Sequence, residues 1–152
     1  MFEVSFNSPQ CGWMSIGFSD GVNAFHTTTA HAPHETALPD LMRILTQIAD
    51  PSTTENEYLL KWNRDPEEFD MYFVRSADEL RIEIYQYPTE EREAVERELV
   101  FSHNGPVSET VAAFSQTFEQ LYADRETDEF EFNWRQPFPL TEFQQFRAVL
   151  GA

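Results

Sequence analysis

The stretch EYLLKWNRDPEEFDMYFVRSADELRIEIYQY, residues 57–87, contains three short segments in which apolar and polar side chains alternate. Alternation with a period of two is typical of β-strands that bury one face. Two turn-forming runs, at residues 63–67 and 76–78, separate the segments. The stretch therefore predicts an antiparallel meander of three strands. Its buried face is expected to carry Tyr58, Leu60, Trp62, Phe69, Met71, Phe73, Leu80, Ile82 and Ile84.

Similar alternation on both sides of the meander predicts further strands. Residues 2–6, 13–18 and 22–30 have strand-like patterns, and Ser19–Gly21 is a tight hairpin signal between the last two. A short strand is also predicted at residues 99–102. In residues 129–134, Phe130, Phe132 and Trp134 alternate with polar residues, which predicts one more strand with these three rings on one face.

Three other stretches have the spacing of helices. Apolar residues recur every three or four positions over residues 38–49 and 107–122. A third helix is expected after Pro139, with Leu140, Phe143, Phe146 and Leu150 facing inward, and residues 89–97 could form a short exposed helix. The expected fold is α+β: a single domain over residues 1–152, with an antiparallel sheet of about six to eight strands and two or three helices packed on one face.

The chain is strongly acidic. Its 27 Asp and Glu residues against 10 Lys and Arg residues give a net charge of −17. Nucleic acid and anionic membranes are poor partners for such a surface, whereas a cationic protein is attracted to it. No stretch is apolar enough to span a membrane, no signal peptide is recognised, and the single cysteine suits a reducing compartment. We therefore expect a cytoplasmic protein.

Few residues suggest chemistry. His26, His31, His34 and Glu35 form one compact group of possible metal ligands, but their spacing matches no common zinc motif. Cys11 has no flanking signature of a catalytic cysteine. Phosphate-binding loops, nucleophile elbows and metalloprotease motifs are missing from the sequence. We therefore expect no catalytic residue, no bound metal and no cofactor.

The solvent face of the predicted sheet mixes acids with aromatic residues, a combination that favours a binding surface over a purely solvated one. The hairpin around residues 63–67 is expected to present its acids beside this face. The predicted contacts to a cationic protein partner are Asp65, Glu67, Glu68, Asp70, Tyr72, Glu83 and Tyr85.

Three segments, Cys11–Met14, Trp62–Phe69 and Phe132–Leu140, resemble segments of uncharacterised bacterial proteins of this size. As a whole, this small, acidic chain without catalytic motifs resembles the immunity proteins of bacterial polymorphic toxin systems. Those proteins share no single fold, so the resemblance implies a role and no topology. The role is non-enzymatic: the protein would bind a cognate toxin, often a basic one, and neutralise it.

Two alternatives stay open at this point: a site for a small ligand or substrate, and an acidic scaffold or oligomerising module. A pocket between the sheet and the helices could bind a small ligand or a substrate, with a metal held by His26, His31 and His34. The oligomeric state does not follow from the sequence.

Overall fold

Two antiparallel sheets and four helices make up the described part of the chain. The computed structural model describes residues 2–6, 13–30, 36–62, 67–88 and 94–151. Its strands are β1 (Glu3–Phe6), β2 (Trp13–Ser19), β3 (Ala24–Ala30), β4 (Glu57–Lys61), β5 (Glu68–Ser76), β6 (Glu79–Tyr87) and β7 (Glu98–Pro106). Its helices are α1 (Ala37–Ala49), α2 (Val107–Asp124), α3 (Phe130–Trp134) and α4 (Leu140–Gly151), and a 3₁₀ turn spans Ala94–Glu96.

The strands form a three-stranded sheet, β1-β2-β3, and a four-stranded sheet, β4-β5-β6-β7. The α+β class is confirmed, but the expected single sheet of six to eight strands is corrected to two smaller sheets. Both sheets pair only strands that follow one another in the chain, as short turns favour. Helix α1 lies between β3 and β4 in the chain, so it ends the first meander and a new one begins after it.

The two sheets meet where the β2–β3 turn contacts β7. The side-chain amide of Asn23 donates to the carbonyl of Ser102 over 3.1 Å, and Asp20 lies 2.8 Å from Nδ1 of His103. Beside this joint the ring of Phe25 lies 5.4 Å from that of Phe69 in the other sheet. The buried side chains of both sheets therefore belong to one continuous core.

The meander predicted from residues 57–87 is confirmed as the antiparallel strands β4, β5 and β6, and so is its buried face. All nine apolar residues expected on that face are buried. Helix α1 buries the predicted stripe through Leu38, Leu41 and Leu45, and α2 buries Phe114 and Phe118. Burial of these apolar side chains supplies the main stabilising free energy of the fold.

Helix α2 also covers the free edge of β1. The carboxylate of Glu109 accepts a hydrogen bond from the backbone N–H of Phe2 over 2.8 Å. The hydroxyl of Thr117 donates to the carbonyl of Val4 over 2.7 Å. These side chains satisfy backbone groups that an uncovered edge strand would leave available to another chain.

Two expectations about the last third are wrong. Residues 130–134 form helix α3 where a strand was predicted, because Phe130 and Trp134 are four residues apart and can enter the core side by side from a helix. In α4, Phe143 and Phe146 are fully buried as expected, but Leu140 and Leu150 are 43% and 41% exposed. They occupy the two ends of the helix, where the covering elements no longer reach them.

The short helix expected over residues 89–97 is present only as the 3₁₀ turn at Ala94–Glu96. Residues 89–93 lie outside the described part of the chain.

Candidate protein-binding surfaces

The outer face of the four-stranded sheet has three rows of side chains set by strand register. Lys61, Asp70, Tyr85 and Leu99 form one row; Leu59, Tyr72, Glu83 and Ser102 the next; Glu57, Val74, Arg81 and Asn104 the third. We call this surface the tyrosine face, since Tyr72 and Tyr85 lie at its centre. The sequence predicted this face for Tyr72, Glu83 and Tyr85, because side chains alternate between the two faces of a strand. Tyr87, which was expected on the same face, is buried.

The two central tyrosines contact each other and an arginine. Their rings pack edge to face with centroids 5.8 Å apart. The guanidinium carbon of Arg97 lies 3.5 Å from the centroid of Tyr85 and 5.7 Å from that of Tyr72. A cation placed over an aromatic face is attracted by the ring quadrupole. The tyrosines therefore have partners within the chain before any other protein approaches.

Beside the tyrosines is a shallow concavity of about 520 Å³. Tyr72, Glu83 and Tyr85, three of the predicted contact residues, line it and are half-buried. Leu59, at its edge, is 46% exposed. This part of the predicted contact surface is assembled in one place and open to solvent.

The other predicted contact residues have different positions. Glu67 and Glu68 are half-buried at the start of β5. Asp70 lies on the expected face but is only 3% exposed, so its carboxylate is not presented to a partner in this conformation. Asp65 lies outside the described residues.

The tyrosine face is less acidic than its sequence suggested. The negative charges of Glu57 and Glu83 lie close to the positive charges of Arg81 and Arg97. Arg81 contacts Glu83 directly, with 3.3 Å between Nε and Oε1. The face therefore offers mixed charge and aromatic contact area, and the excess acid is elsewhere.

One concentration of acid lies at the end of α2 and around α3. Residues 124–131 read DRETDEFE and contain five acids and one base. Three of these acids, Glu126, Glu129 and Glu131, are exposed and line a concavity of about 380 Å³. Its apolar lining comes from Phe130, Phe132, Phe138 and Leu140.

Phe132 is 77% exposed, the most exposed aromatic ring among the large hydrophobic residues of the described chain. We call the surface formed by Phe132, Leu140 and the three glutamates around this concavity the Phe132 patch. This patch was not predicted from the sequence, because the expected strand would have turned Phe132 to the same side as Phe130 and Trp134. The helical reading of the same residues, with Phe130 and Trp134 four apart, would have turned Phe132 outward.

Of the possible metal ligands named from the sequence, only His26 lies among the described residues. His26 lies in β3 opposite Gly17 of β2, and it lines a groove of about 1150 Å³ between the three-stranded sheet and α2. His31, His34, Glu35 and Cys11 lie outside the described ranges. Within those ranges, no group of three or more His, Cys, Asp and Glu side chains is arranged to hold a metal ion.

The fourth histidine, His103, has a structural contact that the sequence did not reveal. Its Nδ1 lies 2.8 Å from Asp20, and its ring stacks on Phe2 with 4.6 Å between centroids. The pKa of Asp20 is well below its ordinary value, first because the carboxylate accepts the backbone N–H of Asn23, and also because it contacts His103 and the N–H of Val22. This pair joins the two sheets and lines neither candidate surface.

Comparison of the chain with protein-family models, with curated proteins and with solved structures finds no match. The described helices include none that is both long enough and apolar enough to cross a membrane.

Proposed function

We propose that this protein binds a cationic protein partner and neutralises it by covering part of its surface, as the immunity proteins of bacterial toxin systems do. The observation that carries the proposal is the net charge of −17, together with the contacts that the arginines make within the chain. Six of them have internal contacts: Arg43, Arg75, Arg81, Arg97, Arg125 and Arg147.

Among the described residues, three of these six arginines contact a carboxylate. Arg43, Arg81 and Arg147 pair with Asp40, Glu83 and Glu119. The other three lie against backbone carbonyls or aromatic rings, as Arg125 does on the carbonyl and ring of Tyr122. Each arginine keeps its positive charge whatever it contacts, and the 10 Lys and Arg residues against 27 acids leave a net charge of −17, so a large negative field extends into solvent.

Such a field accelerates the approach of a basic protein, and short-range contacts then decide the docked position. The tyrosine face supports the second step, because Tyr72 and Tyr85 offer large contact areas beside the carboxylate of Glu83. Glu67 and Glu68 lie at the border of that face, where they can pair with lysines or arginines of a partner.

The proposal is tested by capture from a lysate of the native host on immobilised protein, at low and at high salt, with mass spectrometry of the retained material. We expect one basic protein in stoichiometric amount at low salt, released by high salt, whose own activity is lost when the two are recombined. Retention of no protein, or of a protein that is not basic, would overturn the proposal, and so would undiminished activity of the captured protein.

A pair of matched variants tests the assigned face. Glu67→Lys with Glu68→Lys reverses two charges beside the tyrosine face, and Glu55→Lys with Glu79→Lys reverses two exposed charges near the opposite end of the same strands. Both double variants change the net charge equally. We expect the first to slow association more and to reduce its salt dependence more. Equal rates for the two variants would show that this border makes no specific contact.

A further inference from the structure

Helix α3 holds Phe132 away from the core in a fixed position. Phe130 and Trp134 are buried on one side of the helix, with 2% and 1% exposure, while Phe132 is on the other side. The backbone is bonded on both flanks: the N–H of Phe130 donates to the carbonyl of Arg125 over 2.8 Å, and that of Arg135 to the carbonyl of Glu131 over 2.8 Å. An exposed ring on a fixed backbone loses little conformational entropy when a partner covers it.

Both ends of α3 use left-handed backbone conformations. Glu129 has φ 51° and ψ 51°, and Arg135 has φ 66° and ψ 22°. A left-handed conformation costs a residue with a Cβ atom about 1–2 kcal/mol. The burial of Phe130 and Trp134 offsets this cost, and the outcome is that Phe132 stays at the surface.

The surroundings of Phe132 combine apolar surface with negative charge. Phe130, Phe138 and Leu140 line the adjoining concavity, and Glu126, Glu129 and Glu131 are exposed around it. Arg125 also lines it, but its guanidinium donates to the carbonyl of Tyr122 over 2.6 Å and lies 3.9 Å from the centre of that ring. Three glutamates against this one arginine leave the lining of the concavity with an excess of negative charge.

We propose that the Phe132 patch is a docking site for a basic protein segment in which one apolar side chain is flanked by lysines or arginines. The apolar side chain would pack on Phe132 and Leu140, and the flanking cations would pair with the three glutamates. Charge complementarity selects this occupant. A second copy of the chain carries the same net charge of −17 and is repelled, as is an anionic lipid surface.

This inference rests on the proposed function and adds to the tyrosine face a second docking site for a cationic partner. Its test uses a synthetic probe and no lysate, so this inference and the proposed function can fail separately. The probe is a fluorescein-labelled peptide with a central leucine and lysines on both sides. Two control peptides replace the leucine with glutamine or the lysines with glutamate, and binding is followed by fluorescence anisotropy.

We expect the lysine–leucine peptide to bind the wild-type protein saturably and both control peptides to bind more weakly. Phe132→Ala should weaken binding about tenfold or more, the range of an interface hot spot. Val22→Ala truncates an apolar residue that is 89% exposed in the turn between β2 and β3, outside both candidate surfaces, and should leave binding unchanged. Because Phe132 is exposed, its truncation should preserve the fold, which circular dichroism checks.

Two triple variants of equal net charge separate a local contact from a general attraction. Glu126→Gln, Glu129→Gln and Glu131→Gln remove the acids of the patch. Glu55→Gln, Glu79→Gln and Glu98→Gln remove three exposed acids that belong to neither candidate surface. The two triples change the net charge equally, so a general electrostatic effect is the same for both. Only the first triple should weaken binding severalfold, and it should reduce the salt dependence of binding more than the second. Equal weakening by both triples would overturn the proposal.

Three further results would also overturn it. These are the absence of saturable binding to the wild-type protein, unchanged binding by Phe132→Ala, and a protein that sediments as a dimer until Phe132 is truncated. The last result would assign the patch to an interface between copies of this chain.

Discussion

The tyrosine face and the Phe132 patch both expose aromatic rings, but only one of them leaves its rings without close ring or cation contacts among the described residues. Tyr72 and Tyr85 pack on each other and on Arg97, and the charges around them include both signs. Phe132 is 77% exposed and its nearest charged neighbours around the concavity are mostly acids. A partner therefore gains more newly buried apolar area per residue at the patch, while the tyrosine face offers the broader area.

The difference shows why aromatic content is a poor guide to a binding site. On the tyrosine face the rings already stabilise the fold, so a partner must compete with contacts that exist. At the patch, Phe130 and Trp134 are buried and stabilise the fold, whereas Phe132 is exposed to solvent. Substitutions that separate folding from binding are the way to test this contrast.

A buried anchor of the patch gives the largest expected effect on stability. Trp134→Ala removes a ring that is 1% exposed and should lower the free energy of unfolding by about 3–5 kcal/mol. Phe132→Ala, two residues away, should change it by less than about 0.5 kcal/mol. Urea denaturation of both variants measures the contrast. A comparable loss for Phe132→Ala would mean that this ring packs into the fold and is not free for a partner.

The arginine of the tyrosine face should have a smaller effect. Arg97→Ala removes the cation from the rings of Tyr85 and Tyr72 and should lower the free energy of unfolding by about 0.5–1 kcal/mol. Arg81→Ala is the control, since Arg81 is an exposed arginine of the same face that pairs with Glu83. If Arg97→Ala loses no more stability than Arg81→Ala, the cation above the tyrosines adds nothing to the free energy of unfolding.

The smallest effect on stability is expected from an ion pair between helices α2 and α4. Arg147 of α4 donates to Glu119 of α2 and lies 4.4 Å from the ring centre of Phe143. The hydrogen bond from Arg147 lowers the pKa of Glu119. A lowered pKa means that the pair stabilises the fold above the ordinary pKa of glutamate, about 4.3, and that this contribution is lost as the pH falls through the folded-state pKa.

Glu119→Gln should therefore reduce stability by less than about 1 kcal/mol at neutral pH, because both side chains are partly exposed and screened. Below the folded-state pKa of Glu119 the variant and the wild type should unfold alike, and high salt should narrow the difference at neutral pH. Thermal unfolding over a pH series measures this. A difference that persists in acid would point to lost packing of Arg147 instead of lost charge.

Much of the fold was predictable where a period repeats over many residues. The meander of residues 57–87 repeats the same alternation over nine apolar positions in three successive segments, and the helices α1 and α2 each show five or more apolar positions with helical spacing, so each stretch fits only one period. Residues 130–134 offered three aromatic rings in five positions, which is too short to distinguish a strand from a helix. The same ambiguity did not arise in α4, where Phe143 and Phe146 have only helical spacing.

The candidate surfaces were predictable in part for a related reason. Strand alternation correctly placed Tyr72, Glu83 and Tyr85 on one open face. It could not show that Asp70 is buried on that same face, because its burial depends on what packs over that row. Nor could it show that Arg97, distant in sequence from Tyr72, reaches both rings.

By itself the sequence determined the α+β class, the inward face of the central meander and the strongly negative charge, because these follow from composition and from local periodicity. Only the tertiary structure decided that the strands divide into two sheets, that the tyrosine face carries mixed charge, and that Phe132 points into solvent among acids. Those features depend on which segments meet in space, and contacts between distant segments are not encoded in any local pattern.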